Sequence, residues 1–177
     1  MFKKIFIGLV VIVGLVLVYA AIQPAQYVVS REVLISAPID KVFPFVSKRT
    51  LSNSWNPWLK KDTQAKITTE GPESGIGSAT LWTDGKELGT GKATVIGAVP
   101  NERVVVKIDY EKPFVMTQEA TVLLAPEGTQ TKVIWKVEGE NTFMGRVMCI
   151  FMNMDKMVGG VFEEGLGELK TMVETAG

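Results

Sequence analysis

The stretch QYVVSREVLISAPIDKVFPFV, residues 26–46, has the residue pattern of a strand followed directly by signals for the start of a helix. Its first half alternates, imperfectly, between apolar and polar side chains, which predicts a long strand. Pro38 with Asp40 close behind indicates a helix start, because proline suits the first turn and a carboxylate suits the positive end of a helix. Pro44 limits that helix to a short one. A strand and a short helix therefore open the soluble part of the chain.

Further strand-like runs follow, each ended by turn residues. They span residues 65–70, 76–83, 89–97, 103–110, 115–124 and 131–138. The short connections between them carry turn signals such as Asp84-Gly85, which are typical of hairpins in an antiparallel meander. We therefore predict about seven antiparallel strands.

The last segment, residues 142–175, changes period. Its apolar residues recur at three- and four-residue steps, which predicts a long amphipathic helix with Asn141 or Thr142 as its cap. We expect Gly159-Gly160 to kink or interrupt this helix. The order of strand, short helix, sheet and long helix predicts an α+β domain, with its helices on one face of the sheet.

A polar segment between the first short helix and the sheet carries two of the four tryptophans. Its sequence is SNSWNPWLKKD, residues 52–62. The proline and asparagines argue against regular structure, so we predict a loop. Trp55 and Trp58 then either close one end of the core or line the entrance to a cavity.

The chain resembles the helix-grip fold of the START / Bet v 1-like (SRPBCC) superfamily, and specifically its bacterial polyketide cyclase/dehydrase-like members. The matching motifs are, in order, ISAPIDKVFPFV, WNPW, GIGSATLW, GTGKATV, VPNERVV, GTQTKVIWKVEG and FEEGLGELKTMVE. Together they cover residues 28–174. The resemblance implies a curved seven-stranded sheet around the C-terminal helix, with a deep apolar cavity between them. Members include carriers of lipids and other hydrophobic ligands as well as cyclases.

Strand phase and helix spacing give candidate cavity residues. Tyr110 and Gln118 fall on apolar faces of their strands, where they either orient a ligand or satisfy internal hydrogen bonds. Asp155 lies near the apolar stripe of the last helix, and it either faces the cavity or lies at its rim or on the surface. A carboxylate near that stripe must be paired, protonated or at a wet cavity edge. The candidates are Trp55, Trp58, Leu81, Tyr110, Met116, Gln118, Trp135, Met148, Phe151, Met152 and Asp155.

An uncharged run, IFIGLVVIVGLVLVYAAI at residues 5–22, follows Lys3 and Lys4. It is long enough to span a bilayer, and the positive-inside rule then places the N-terminus in the cytoplasm and the rest on the extracytoplasmic (periplasmic) side. A signal peptide cleaved near residues 18–20 is the alternative, with the same destination. We assign residues 1–25 to a transmembrane anchor and residues 26–177 to the ligand-binding domain.

Composition excludes several classes of function. Nineteen basic and nineteen acidic residues balance to zero charge, without the basic surplus of a nucleic-acid-binding protein. The chain has no histidine, which excludes Ser-His-Asp and Cys-His nucleophiles and the usual zinc and non-haem iron ligand sets. One cysteine permits no intramolecular disulfide. We expect neither a metal nor a cofactor.

Three hypotheses follow for function. The first, which we favour, is a membrane-tethered binding domain for a hydrophobic small molecule or lipid. The second is an enzyme of the cyclase or dehydratase type, in which Asp155 or Tyr110 transfers protons. The third is a protein-interaction module whose sheet and loops bind a protein partner.

Overall fold

The computed structural model describes residues 2–113, 115–140, 142–151 and 153–176, with the side chains of Met148 and Met154 left out. The elements are α1 (Phe2–Ile22), β1 (Gln26–Ile35), α2 (Ile39–Ser47), α3 (Arg49–Trp55), α4 (Pro57–Lys61), β2 (Lys66–Glu70), β3 (Ala79–Thr83), β4 (Thr90–Val99), β5 (Arg103–Lys112), β6 (Met116–Glu127), β7 (Gln130–Glu140), α5 (Phe143–Phe151) and α6 (Met154–Ala176). The predicted α+β architecture, with seven antiparallel strands and a long C-terminal helix, is confirmed.

The sheet has the strand order β1-β7-β6-β5-β4-β3-β2. Strands β2 to β7 pair with their neighbours in sequence, and β1 pairs with β7, so that Val29 lies opposite Val137. Alternate residues of β7 are buried, which gives the sheet one apolar face. Helix α6 covers that face with a stripe at three- and four-residue spacing. The stripe consists of Phe162, Leu166, Leu169 and Val173, all of them buried.

The segment predicted as a loop, residues 52–62, is largely helical, so that prediction is wrong. Only Asn56 separates α3 from α4. Its Oδ1 atom accepts a hydrogen bond from the backbone N–H of Trp58 at 3.1 Å, which caps α4. Pro57 occupies the first turn, where its missing N–H costs nothing. The residues that look like helix breakers therefore start a second short helix.

The C-terminal segment forms two helices, α5 and α6, and the predicted interruption at Gly159-Gly160 is wrong. Both glycines lie inside α6, and the helices separate before Met154. A Cβ atom at Gly159 would lie 2.0 Å from Nη2 of Arg31. Gly159 therefore makes room for an arginine of β1, and α6 continues through both glycines.

Helix α1 is the one helix in the described part of the chain that is long and apolar enough to cross a membrane. A signal sequence would form the same kind of helix. Its 21 residues span about 31 Å, close to the thickness of a bilayer's hydrocarbon core. Arg146 of α5 holds its end, because Nη1 donates to the carbonyl oxygens of Ala21 and Gln23 at 3.1 and 3.3 Å. A cation suits the negative end of a helix.

Candidate functional site

A cavity of about 310 Å³ lies between the apolar face of the sheet and helices α3, α4 and α6. Its volume falls at the lower end of the range for small-molecule sites. Aliphatic side chains form much of its wall. They include Val46, Val104, Val106, Val122, Val137 and Val158. The cavity therefore offers mainly dispersion and hydrophobic contact to an occupant.

All four tryptophans of the chain line this cavity. Trp135 lies at their centre, with Trp55 and Trp58 packed edge-on against it at centroid distances of 5.0 and 5.7 Å. The other face of the group is closed by Phe162, which stacks on Trp135. We call these four residues and Trp82 the aromatic wall.

The two tryptophans of the α3–α4 segment have different environments. Trp55 is buried, and its Nε1 atom donates to the backbone oxygen of Phe45 at 2.8 Å. Trp58 is half-buried. Trp55 thus closes the core and lines the cavity at the same time, whereas Trp58 belongs more to the cavity surface.

A chain of hydrogen bonds crosses the sheet side of the cavity. The hydroxyl of Tyr27 donates to Oε1 of Gln118 at 2.8 Å, and Nε2 of Gln118 donates to the hydroxyl oxygen of Tyr110 at 2.9 Å. Burial raises the pKa of Tyr110 to about 12 and raises that of Tyr27 as well. Among the described residues the Tyr110 hydroxyl proton has no acceptor, so it is available to a bound molecule.

A second polar strip follows one face of α3. Arg49, Ser52, Asn53 and Asn56 recur at helical spacing and all line the cavity. The hydroxyl of Thr80, on β3, donates to Oδ1 of Asn53 at 2.8 Å. Sequence reasoning missed this strip because three of its four residues lie in the segment predicted as a loop, residues 52–62. The three- and four-residue spacing of its polar residues is the signal that could have revealed it.

The structure brings six of the predicted site residues together in the cavity lining. They are Trp55, Trp58, Tyr110, Met116, Gln118 and Trp135. Met152 lies outside the described residues, and so does the side chain of Met148. Tyr27 was missed although it shares the strand phase of Val29, and that phase could have found it.

Three predicted residues do not line the cavity, and two of them, Leu81 and Phe151, were placed wrongly. Leu81 points away from it, because Thr80 and Trp82 of the same strand line it and neighbours in a strand face opposite sides. A one-residue error in phase is enough to produce this mistake. Phe151 ends α5 with 73% of its surface exposed, so its place at the cavity is also wrong.

Asp155 is also absent from the cavity lining and lies on the surface, which is one of the two positions expected for it. Its carboxylate pairs with Arg31, whose Nη2 atom is 3.0 Å from Oδ2, and Nε of Arg31 is 2.7 Å from Oε1 of Glu163. The hydrogen bond from Arg31 lowers the pKa of Asp155. An ionised, paired carboxylate there has no access to a molecule in the cavity. Within the described ranges, no cluster of three or more Asp, Glu or Cys side chains is placed to hold a metal ion.

Comparison with solved structures shows the same fold at low sequence identity. A protein from Chromobacterium violaceum is 15% identical, with 86% of this chain and 99% of that chain covered and a TM-score of 0.59. The Aha1 dimer from Colwellia psychrerythraea is 17% identical, with 84% and 96% covered and a TM-score of 0.58. A norcoclaurine synthase point mutant from Thalictrum flavum, in complex with a transition-state analogue, is 14% identical, with 88% and 98% covered and a TM-score of 0.64.

Comparison with sequences and family models identifies the family. No curated protein sequence matches the chain. Residues 26–174 match the family described as polyketide cyclase / dehydrase and lipid transport. This match runs from the first residue of β1 almost to the end of α6 and confirms the resemblance inferred from the motifs. The chain therefore belongs to the polyketide cyclase / dehydrase and lipid transport family of SRPBCC type.

Proposed function

We propose that this protein binds a hydrophobic small molecule or lipid in the cavity between the sheet and α6, as a membrane-anchored binding protein. The cavity itself carries the proposal, since it offers about 310 Å³ of space lined by the aromatic wall and a few polar groups. Small-molecule sites typically have this composition. The family description, which includes lipid transport, supports the same ligand class.

A matched pair of variants on β6 tests whether the cavity holds the ligand. Ala120 lines the cavity, whereas Ala125, on the same strand, is exposed. Ala120→Phe should fill the space, and Ala125→Phe makes the same chemical change outside it. We expect mass spectrometry of solvent extracts of the purified full chain to find a compound with wild type and Ala125→Phe that Ala120→Phe lacks. Equal extracts from all three proteins would reject the cavity as the ligand site.

We further propose that α1 is retained as a single transmembrane anchor, with the N-terminus cytoplasmic and the domain on the extracytoplasmic side. Lys3 and Lys4 precede the helix, in agreement with the positive-inside rule. The contacts of Arg146 with the end of α1 also support retention, because a cleaved leader has no need of a fitted contact with the folded domain.

The anchor has two direct tests. The intact mass of the protein purified from membranes should include residues 1–25, and loss of this segment would identify a signal peptide. Cysteine at the exposed position 125, in a Cys149→Ala background, should react with a membrane-impermeant maleimide in cells with a permeabilised outer envelope and an intact inner membrane. Labelling only after inner-membrane lysis would show that the domain lies on the cytoplasmic side.

The Tyr110 hydroxyl favours an enzyme as a second candidate function. Its proton has no acceptor among the described residues, and with a pKa of about 12 it stays protonated at neutral pH. Tyr110 can therefore donate to a carbonyl or a developing oxyanion, but it is a poor base. If the bound compound is converted by the wild type, Tyr110→Phe should slow conversion while retaining binding. Unchanged turnover in Tyr110→Phe would remove it from the mechanism.

A further inference from the structure

Arg49 is a buried cation in the lining of the cavity. It opens α3 and is only 6% exposed. Its Nη2 atom donates to the backbone oxygen of Val46 at 3.0 Å. Its Nε atom is buried and has no hydrogen-bond partner among the described residues. A guanidinium has five N–H donors, and for that of Arg49 one acceptor is found among the described residues.

No described carboxylate neutralises Arg49. Every ion pair found among the described residues involves another cation, and the carboxylate of Glu73 pairs with Lys48 at 3.0 Å. Glu73 gives Arg49 only its backbone oxygen, at 3.2 Å from the Arg49 backbone nitrogen. Burial lowers the pKa of Arg49 to about 10, so the group remains charged at neutral pH.

This arrangement is unusual, because buried charges in proteins are normally paired. Arg31 shows the contrast within the same chain, since its side chain is 23% exposed and still holds two carboxylates. Arg49 instead lines the cavity together with the other residues of the polar strip and with the aromatic wall. A cation in such a space is complementary to an anion that enters with an apolar body, and the low local dielectric strengthens their attraction.

We propose that Arg49 binds the anionic head group, a carboxylate or a phosphate, of an amphiphile whose apolar part lies against the aromatic wall. This inference rests on the proposed function of the cavity and narrows its ligand to anionic amphiphiles. Carboxylate and phosphate share oxygen acceptors that suit the planar donors of a guanidinium. A neutral hydrophobe would leave the charge of Arg49 unmatched.

Contact quenching of tryptophan tests the inference, because all four tryptophans line the cavity. The full chain is placed in phosphatidylcholine vesicles and titrated with ω-bromooctanoate or ω-bromooctanol, which differ only in the head group. Bromine quenches on contact, so probe dissolved in the bilayer contributes little. The carboxylate enters a bilayer less readily than the alcohol, so a preference for it cannot come from the vesicle. We expect half-maximal quenching at a concentration lower by about tenfold or more for the carboxylate.

Two variants assign the preference to Arg49. Arg49→Met removes the charge and keeps much of the volume, whereas Arg49→Gln keeps a donor for the Val46 oxygen. Both should respond equally to the two probes. Arg103→Met is the matched control, since Arg103 lies outside the cavity lining and is exposed, and it should keep the preference. Competition by octanoate and by octyl phosphate then identifies the head group that binds more tightly.

The outcomes separate this inference from the proposed function. Absence of quenching by both probes in the wild type would reject the cavity function and the inference with it. Equal quenching by both probes would leave the cavity function intact and overturn the role of Arg49, as would a preference that survives in Arg49→Met or Arg49→Gln.

Thermal unfolding gives a further readout, because removal of an unpaired buried charge should leave Arg49→Met as stable as the wild type or more so. A clear loss of stability, with binding preference unchanged, would identify a purely structural arginine.

Discussion

Trp135 stacks on Phe162 with ring centroids 4.2 Å apart and an angle of 11° between the ring planes. The pair joins β7 to α6 at the point where the helix crosses the apolar face of the sheet. Trp55 and Trp58 pack edge-on against the same indole. One stacked pair therefore belongs both to the core of the domain and to the wall of the cavity.

Phe162→Ala should destabilise the domain strongly. Phe162 is 2% exposed, and its removal leaves a hole behind Trp135 that the surrounding rings fill only in part. We expect a loss of about 3–5 kcal/mol in the free energy of unfolding. Urea denaturation of the full chain in vesicles, followed by tryptophan fluorescence, measures it. Phe151→Ala is the control, because that ring is exposed and should change stability by less than about 0.5 kcal/mol. Similar losses for the two variants would show that the stacked pair is not central to the core.

The sequence predicted sidedness well where polar and apolar residues alternate in a strand. In β7, Val133, Trp135 and Val137 alternate with charged or less buried neighbours, and all three are buried. Strand β3 lacks that contrast, since Thr80 and Trp82 flank Leu81. Thr80 is buried, and its hydroxyl is satisfied there because it donates to Asn53, a partner 27 positions away in the chain. A contact of that kind is not visible in a local pattern, so Leu81 was chosen wrongly.

The remaining errors also come from long-range contacts. Gly159 looks like a helix breaker, yet its missing side chain leaves space for the guanidinium of Arg31, which lies on a strand far away in sequence. Asn56 and Pro57 look like loop residues until the fold brings Trp55 and Trp58 against Trp135 and stabilises two very short helices. Isolated helices of five to seven residues are unstable without such packing.

Gly159→Ala and Gly160→Ala should change the stability of the domain to different extents, although the residues are adjacent. A Cβ atom at Gly160 meets nothing within 4 Å. Alanine there should stabilise α6 by about 0.5–1 kcal/mol, because glycine loses more backbone entropy in a helix. Alanine at Gly159 must displace Arg31 from Asp155 and Glu163, so we expect this variant to be the less stable of the two by urea denaturation. Equal stabilisation by both would mean that Arg31 moves aside at no cost.

Asp62 should make the stability of the domain depend on acid pH. Its Oδ2 atom accepts from the backbone N–H groups of Leu88 and Glu87 at 2.9 and 2.8 Å, and these bonds, chiefly that from Leu88, lower its pKa below the ordinary value of 3.8. The folded state therefore binds this proton less readily than the unfolded chain. The stabilisation is complete above the unfolded pKa and is lost as the pH falls through the folded pKa.

Asp62→Asn tests this dependence. We expect the free energy of unfolding of the wild type to approach that of the variant as the pH is lowered from about 6 to about 3. Urea denaturation at a series of pH values measures the gap between the two proteins. A gap that stays constant over this range would show that the Asp62 carboxylate does not titrate differently in the folded state.

Trp55→Phe should cost more stability than Trp58→Phe, although the two substitutions remove the same atoms. The indole N–H of Trp55 donates to the Phe45 oxygen at 2.8 Å inside the core, so phenylalanine at position 55 leaves a buried acceptor without its donor. No described residue accepts from the indole N–H of Trp58, which is half-buried. We expect the unfolding free energies to differ by about 1–3 kcal/mol. Equal losses in urea denaturation would contradict the division of roles, in which Trp55 closes the core and Trp58 faces the cavity.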